Sequence, residues 1–209
     1  MTTITAVTPP RRVRTLADLF PGARTRDIVL IIGFALVTAV AAQVSIPLGF
    51  TPVPLTGQTF AVLLTGGVLG ARRGALAQLL YVALGATGLP FYAEGEGGWN
   101  AATGSTAGYL VGFVIAALIV GMLAERAQDR RILTAAPAFL AGSVAIYTTG
   151  ALWLAHDLGV PLTAGVGEPS AIAYGVAPFV VGDLIKAMLA GVLLPTAWTA
   201  VTRFSERRP

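Results

Sequence analysis

The chain of 209 residues has no cysteine, a single histidine and a single lysine, and these shortages exclude several kinds of chemistry. Without cysteine there is no disulfide, no thiolate nucleophile and no cysteine-ligated metal site. One histidine cannot complete a His-Glu-x-x-His metal motif. The only lysine, Lys186, follows Ile185, so the Gly-Lys step of a Walker A loop is missing and the chain is not a P-loop ATPase.

Charged residues are also scarce: they make up 11% of the chain, whereas hydrophobic residues make up 55%. A soluble domain has about 25% charged residues, and the mean hydropathy of +0.76 is typical of a membrane protein. Five stretches carry no charged residue: 28–71, 74–93, 97–124, 132–155 and 187–202. One span needs about 20 apolar residues, so the first stretch is long enough for two. The composition therefore predicts an all-α integral membrane protein.

The segment around Asp183 completes a set of six predicted transmembrane helices. The predicted spans are 28–46, 57–71, 74–90, 105–124, 132–155 and 174–202. Arg72, Arg73 and Gly74 alone join the second and third spans, which predicts a tight hairpin, and Pro178 is expected to mark the start of the last helix or a kink in it. We expect a cytoplasmic N-terminal segment, 1–27, a membrane domain, 28–203, and a cytoplasmic tail, 204–209.

The basic residues outside the spans predict the topology. All but one of the 14 basic residues are arginines. The arginines cluster in residues 11–26, 72–73, 126–131 and 203–208, which precede the first span and follow the second, fourth and sixth. The three other loops hold Glu94, Glu96, Asp157 and Glu168 instead. The positive-inside rule then places both termini in the cytoplasm. It also explains the basic pI without a nucleic-acid partner.

Asp183 and Lys186 are candidate site residues because they are ionisable groups inside a predicted span. A charged side chain in the hydrocarbon layer costs about 2.5–3.5 kcal/mol on insertion scales. Residues three apart share one face of a helix, so the two side chains can pair. Lys186 could bind a ligand carboxylate, and Asp183 could accept hydrogen bonds from ligand N–H groups. A structural ion pair that fixes the helix is the alternative.

The loop between the third and fourth spans, residues 91–104, is rich in glycine and carries Tyr92, Trp99 and Asn100. Glycine lets a backbone approach a ligand closely. The aromatic rings offer flat apolar faces, and the asparagine amide is both a donor and an acceptor. We therefore expect this loop to contact a ligand, although glycine also serves simple turns.

Two further patterns each have two interpretations. Tyr109 lies near the outer end of the fourth span, where a tyrosine is more often a lipid anchor than a ligand contact. Ala35 and Ala39 form a small-xxx-small pair, which would let a partner helix approach the first span closely. Because the chain is rich in alanine throughout, the spacing alone also fits ordinary packing.

Four blocks, in the same order along the chain, resemble the BioY family. They are TPVPLTGQTFAVLL at 51–64, GLPF at 88–91, TAGYLVGF at 106–113 and GDLIKA at 182–187. The resemblance spans about residues 28–195 and leaves the first 27 residues outside. BioY proteins are the biotin-specific S components of energy-coupling factor (ECF) transporters.

The resemblance implies a six-helix ECF S-component fold in the cytoplasmic membrane. Such a protein captures biotin from outside with high affinity and is not an enzyme. It needs no cofactor of its own, because a transmembrane T component and two ABC-type ATPases supply the energy of ATP, and the S component is thought to topple in the membrane. Some members work alone or as oligomers, so a second copy of the chain is a further candidate partner.

The resemblance also implies roles for individual residues. It places Lys186 on the biotin carboxylate or an adjacent polar group, with Asp183 in the same polar network. The other implied ligand contacts are Tyr109, Asn100, Gly97, Gly98 and Gln58. The family's contact with the T component corresponds to Ala35 and Ala39. No catalytic or metal-binding residue is implied.

Two other functional classes compete with biotin capture by an S component. A standalone or ion-coupled carrier of small solutes would work without any ATPase, but ion coupling usually needs polar groups along the path. Asp183 is the only carboxylate inside the spans. An intramembrane enzyme using Asp183, or His156 and Asp157, would need a nucleophile within reach of a base. No Gly-x-Ser-x-Gly elbow is present.

Overall fold

A computed structural model describes residues 15–19, 24–127, 132–165 and 167–206. Its helices are α1 (Arg24–Gln43), α2 (Gln58–Leu69), α3 (Ala71–Ala86), α4 (Trp99–Thr103), α5 (Ala107–Glu125), α6 (Ile132–Leu158), α7 (Ala171–Gly175) and α8 (Val180–Glu206), with single 3-10 turns at Leu16–Leu19 and Ala93–Gly95. Two short strands, β1 (Ser45–Ile46) and β2 (Leu55–Thr56), pair antiparallel, with Ser45 opposite Thr56. The predicted helical class is confirmed.

The six longest helices, α1, α2, α3, α5, α6 and α8, correspond in order to the six predicted spans. Four segments are long and apolar enough to cross a membrane: Arg24–Gln43, Ala107–Glu125, Thr134–Leu158 and Val180–Ala200. The other two are shorter, with 12 residues in α2 and 16 in α3. At a rise of about 1.5 Å per residue, α2 is about 18 Å long, less than the hydrocarbon layer of about 30 Å.

The turn between α2 and α3 lies earlier than predicted. Gly70 alone separates the two helices, and its φ of +83° lies in a region that favours glycine. Arg72 and Arg73 therefore belong to the first turn of α3 rather than to a loop. The Arg73 side chain caps the end of α2, since its Nε donates to the carbonyl of Leu69 over 2.9 Å.

The last predicted span, 174–202, is broken near its start. Its first residues belong to the short helix α7 and to a turn, and α8 begins at Val180. Pro178 lies two residues before α8, which confirms the expectation that it marks the helix start. Helix α7 has its own N-cap, because Ser170 Oγ accepts a hydrogen bond from the backbone N–H of Ala173 over 3.2 Å.

Helix α5 forms the centre of the bundle and packs against α2, α3 and α6. Small residues allow the helices to approach closely at this centre. A Cβ atom on Gly66 of α2 would lie 2.7 Å from the carbonyl oxygen of Ala117 on α5, and one on Gly74 of α3 would lie 3.1 Å from Cα of Gly66. Larger side chains at these positions would push α2, α3 and α5 apart.

In this structure Ala35 and Ala39, the predicted contacts of a partner, lie inside the chain. Ala35 is 0% exposed and Ala39 is 6% exposed, because this face of α1 packs against α3 inside the chain. Thr38 lies on the same face and accepts a hydrogen bond from Gln78 of α3 over 3.0 Å. Close approach of a helix does explain the small residues, but the helix is α3 rather than a partner.

Charged side chains meet at one end of the bundle, around Arg73 at the start of α3. Its guanidinium lies 2.8 Å from Asp18 and 3.2 Å from Asp27. In the segment ahead of α1, Thr15 and Ala17 are buried, and Ala17 packs with Leu69 and Ala77. This part of the predicted surface segment, 1–27, is thus built into the membrane domain.

Part of the arginine pattern falls outside the described residues. The arginines concerned are Arg11, Arg12, Arg14, Arg130, Arg131, Arg207 and Arg208.

Candidate functional site

A cavity lies at the end of the bundle opposite the Arg73 cluster, where α2, α5 and α8 begin. Its walls come from the β1–β2 loop, the loop before α4, and helices α2, α5, α6 and α8. The lining residues are Val53, Pro54, Leu55, Thr56, Gln58, Thr59, Tyr92, Ala93, Thr106, Tyr109, Leu110, Phe113, Ile146, Tyr147, Phe179, Asp183 and Lys186. The cavity volume is about 70 Å³, below the range of about 300–1,000 Å³ that is usual for ligand pockets, so the cavity is narrow.

The ionised groups of the cavity form one pair on the first turns of α8. Lys186 Nζ lies 2.6 Å from Asp183 Oδ1, and the two side chains are 19% and 6% exposed. The predicted pairing of these residues is confirmed by this distance. Because the two charges balance, the pair adds a donor and an acceptor to the cavity but no net charge.

Asp183 accepts hydrogen bonds from three helices. Lys186 and the Thr59 hydroxyl of α2 bond Oδ1, the latter over 3.0 Å, and the Tyr147 hydroxyl of α6 bonds Oδ2 over 2.7 Å. A buried carboxylate is stable only when it is paired and hydrogen-bonded. The three donors therefore hold Asp183 in one position at the cavity wall.

Lys186 is also connected beyond Asp183. Its ammonium donates to the backbone carbonyl of Thr56 over 2.6 Å and to Thr59 Oγ1 over 3.2 Å. An ammonium has three hydrogens to donate, so Asp183, Thr56 and Thr59 use all of them. A ligand that accepts a hydrogen bond from Lys186 must replace one of these acceptors.

Gln58, a predicted ligand contact, lines the cavity at the first turn of α2 and is 6% exposed. Its Oε1 accepts from the Thr56 hydroxyl over 2.8 Å, and its Nε2 donates to the Tyr81 hydroxyl over 2.6 Å. An amide has two N–H hydrogens and two lone pairs. One donor and one acceptor site of Gln58 are left to face a ligand.

The remaining walls are apolar and largely aromatic. Tyr109, a ligand contact that the resemblance implies, is only 8% exposed and lines the cavity rather than facing lipid. Its hydroxyl donates to the carbonyl of Gly175 over 2.7 Å, which fixes the end of the side chain. Tyr92 likewise donates to the carbonyl of Val82, and burial raises the pKa of Tyr92, so the phenol stays protonated.

The proline-rich loop between β1 and β2 closes one side of the cavity. Val53 and Pro54 line it, and Val53 is 6% exposed. The short β1–β2 ladder fixes the two ends of the loop. The Thr51 hydroxyl ties its tip to the carbonyl of Tyr174 in α7 over 2.8 Å. Proline-restricted backbone and these ties give a stiff wall.

The structure does not bring the predicted contacts of the glycine-rich loop into this cavity. Gly97 and Asn100 line a separate, open cleft, which shares Thr106 with the cavity. Gly98 precedes α4 with a φ of +94°, and Trp99 is 71% exposed. From this loop, only Tyr92 and Ala93 line the cavity.

No metal centre or hydrolytic constellation is found in the part of the chain that the structure describes. It contains no group of three or more histidine, cysteine and carboxylate side chains that could hold a metal ion. Asp157 accepts a hydrogen bond from the Ser105 hydroxyl over 2.6 Å, and the His156 ring lies edge-on to Trp153 at 6.0 Å. The bond between Ser105 and Asp157 fastens the C-terminal end of α6 to the turn before α5.

Comparison with known proteins identifies the family of the chain. The model of the BioY family matches residues 11–203, which is most of the chain. The chain belongs to the BioY family. The match begins at residue 11, so the family resemblance reaches into the N-terminal segment, which the four sequence blocks had left outside.

Relatives within the BioY family are similar over most of their own length. The biotin transporter BioY of Rhodobacter capsulatus is 42% identical over 177 residues, covering 82% of this chain and 92% of the relative. That of Thermotoga maritima is 40% identical over 163 residues, covering 77% and 88%. Both are named as transporters, which agrees with the expectation that this multi-pass membrane protein is not an enzyme.

The fold is also similar to that of a solved structure. A crystal structure of the S-component for biotin from an ECF-type ABC transporter superposes with a TM-score of 0.74. The match covers 84% of this chain and 92% of the other, at 24% sequence identity. The predicted S-component fold is thus confirmed.

Two cavity residues that hydrogen-bond Asp183 were not predicted in this BioY-family chain. Thr59 lies inside the block 51–64 and next to Gln58, so its place in this block could have indicated a site residue. Tyr147 lies in an apolar stretch with no motif around it, and only the packing of α6 on α8 brings it to Asp183.

Proposed function

We propose that the chain captures biotin from outside the cell as the substrate-binding subunit of an ECF transporter. The observation that carries this proposal is the Asp183–Lys186 pair, a compact polar group with no net charge in a largely apolar cavity of a BioY-family chain. Ligand pockets usually combine apolar walls with a few placed polar groups. Biotin has the matching form, with polar groups at its two ends and an apolar thiolane ring and chain between them.

The charge balance of the cavity favours one orientation of biotin. Asp183 already neutralises Lys186, so a ligand carboxylate beside them would leave an excess negative charge in a poorly solvated place. The ureido group is neutral and has two N–H donors and one carbonyl acceptor. Asp183 can accept from the N–H groups while Lys186 and Gln58 donate to the carbonyl. We therefore propose that the ureido ring binds here and that the carboxylate points to the mouth.

Isothermal titration of the purified chain with biotin tests this function. Tight binding is expected for the wild type, and a loss of at least about tenfold is expected for Lys186→Ala, since truncating one hydrogen-bonded partner costs about 1–3 kcal/mol. Arg72→Ala, an exposed cation at the other end of the bundle, is the matched control and should bind as the wild type does. Failure of the folded wild type to bind biotin would refute the proposal.

Biotin analogues separate the two orientations. The methyl ester of biotin keeps the ureido ring and removes the negative charge, so we expect it to compete about as well as biotin. Diaminobiotin lacks the ureido carbonyl and carries two amines instead, so it should compete at least about a hundredfold more weakly, because a site built for hydrogen bonds rejects a ligand that leaves them unmade. The reverse ranking would place the carboxylate at Lys186.

We propose six spans with both termini in the cytoplasm, with α2 and α3 as two short spans. The supporting observation is that Arg26, Arg73 and Arg126 lie at one end of the bundle, with the cavity at the other. The chain has no cysteine, so single cysteines report cleanly. An impermeant maleimide added to intact cells should label Trp99→Cys and leave Arg72→Cys unlabelled. Labelling of Arg72→Cys from outside would invert the topology.

We further propose that a transmembrane T component and two ABC-type ATPases drive transport, so that ATP acts only through partners and no cofactor is needed. The S-component fold and the missing Gly-Lys step support this arrangement. The alternative is a standalone or ion-coupled carrier. Biotin uptake in cells should require the partner genes and stop when the ATPases are inactivated. Uptake that persists without them and follows the proton or sodium gradient would favour the carrier.

A further inference from the structure

Tyr81 of α3 lies behind the cavity wall and does not line the cavity, yet its side chain is 0% exposed and its hydroxyl is the hydrogen-bond acceptor of Gln58. The distance from Gln58 Nε2 to the Tyr81 hydroxyl is 2.6 Å. A tyrosine hydroxyl buried among apolar residues is costly without a partner. Because Tyr81 lies directly behind a ligand-facing amide, it can orient that amide as well as fill space in the core.

The bond to Tyr81 is the end of a continuous network. Gln58 Oε1 accepts from the Thr56 hydroxyl over 2.8 Å, and the Thr56 carbonyl accepts from Lys186 over 2.6 Å. Lys186 bonds Asp183, and Tyr147 bonds Asp183 from the other side. The order along the network is Tyr81, Gln58, Thr56, Lys186, Asp183, Tyr147. It joins α3 to α6 through α2, β2 and α8.

Tyr81 also supports a second part of the wall. Its ring packs edge-on against Tyr92, with ring centroids 5.8 Å apart and an angle of 73° between the planes. One turn along α3, Gly85 leaves room for the Tyr92 ring, since a Cβ atom there would collide with it. Helix α3 thus holds both Gln58 and Tyr92 from behind.

We propose that Tyr81 is a positioning residue, which sets the orientation of the Gln58 amide and, through Thr56, the position of the Lys186 ammonium. In Tyr81→Phe, one N–H of Gln58 loses its acceptor in a buried place. The amide then rotates to find another acceptor and weakens its bond from the Thr56 hydroxyl. The Thr56 carbonyl shifts with it, so Lys186 loses one of its fixed acceptors. Residues in one hydrogen-bond network are expected to show such coupling.

A first test needs no ligand. Lys186 is the only lysine, so trinitrobenzenesulfonate labelling of its peptide, read by mass spectrometry, reports on one side chain. We expect Tyr81→Phe and Gln58→Ala each to raise the labelling rate of Lys186 at least threefold, and the double variant to raise it no further. Thr38→Val, which breaks the buried bond to Gln78 elsewhere on α3, is the control and should leave the rate unchanged. An unchanged rate in folded Tyr81→Phe would overturn the proposal.

A second test rests on the proposed biotin function. Tyr81→Phe should weaken biotin binding about tenfold, which corresponds to about 1.4 kcal/mol. In a Gln58→Ala background the same change should have little further effect, whereas independent, additive losses would mean a merely structural role. If the wild type does not bind biotin, the proposed function fails, while the labelling of Lys186 still decides the role of Tyr81.

Discussion

The hydroxyl of Tyr147 on α6 donates to Oδ2 of Asp183 on α8 over 2.7 Å, while Oδ1 of the same carboxylate is bonded by Lys186 and Thr59. Asp183 is therefore oriented by donors on α2, α6 and α8 before any ligand arrives. A site that is already arranged loses less freedom when its ligand binds. The position of Asp183 thus depends on helices far apart in the chain.

Tyr147→Phe should weaken ligand binding while leaving the fold intact. A hydrogen bond to a charged group contributes about 1.5–3 kcal/mol, so we expect biotin affinity to fall at least about tenfold. Titration calorimetry on the purified variant measures this loss. Thr148→Val is the control, because Thr148 is exposed and its hydroxyl bonds only the Val144 carbonyl of its own helix. Wild-type affinity in Tyr147→Phe would show that Asp183 is held without it.

Lys186→Met and the double variant Asp183→Asn/Lys186→Met should separate stability from binding. The single change leaves a buried carboxylate without its charge partner and should destabilise the fold by about 3 kcal/mol. The double change removes both charges and should restore most of that loss, yet neither variant should bind biotin. Thermal unfolding in detergent measures the stabilities. A double variant no more stable than Lys186→Met would mean that the pairing is not what stabilises Asp183.

Asn100→Ala and Thr59→Val should differ in their effects on the ligand. Thr59 bonds both Asp183 and Lys186, whereas Asn100 is exposed in the separate, open cleft. We expect Thr59→Val to weaken biotin binding at least about tenfold, through the loss of a bond to a charged group, and Asn100→Ala to change it less than twofold. Competitive binding with labelled biotin compares them directly. A larger effect of Asn100→Ala would show that the open cleft around Asn100 closes over the ligand.

Arg73→Ala should destabilise the domain much more than Arg72→Ala. Arg73 is bonded to Asp18, Asp27, Thr15 and the Leu69 carbonyl, whereas Arg72 is exposed. Loss of these bonds should lower the free energy of unfolding by about 1–3 kcal/mol, and an exposed substitution by less than about 0.5 kcal/mol. Unfolding curves of the two variants test the contrast. Equal stabilities would mean that the segment around Thr15 is not fastened by Arg73.

The family and the helix order could be predicted from the sequence, because both depend on local sequence patterns. Uncharged runs marked the helices, since each must satisfy its backbone inside the membrane. The pairing of Asp183 and Lys186 followed from their spacing on one helix turn. Pro178 marked the start of α8, because a proline is tolerated ahead of a helix but not in its interior.

Other features depended on which helices meet. The spacing of Ala35 and Ala39 predicts close approach of a helix but does not say which one, and in the structure it is α3. A tyrosine at the end of a span, such as Tyr109, fits either a lipid anchor or a ligand contact. In the structure, the hydrogen bond from its hydroxyl to Gly175 holds the side chain at the cavity. No sequence pattern marked Tyr147 as a site residue, because its partner Asp183 lies 36 residues away on another helix.

The sequence by itself determined the membrane class, the helix order and the pair of charges on α8, because hydropathy and i,i+3 spacing act within one segment. The tertiary structure alone decided that Thr59, Tyr147 and the Thr56 carbonyl complete the polar site and that Asn100 does not line it. Hydrogen bonds between helices depend on how the helices rotate and cross. Those angles are set by the small residues that pack α2, α3 and α5 together.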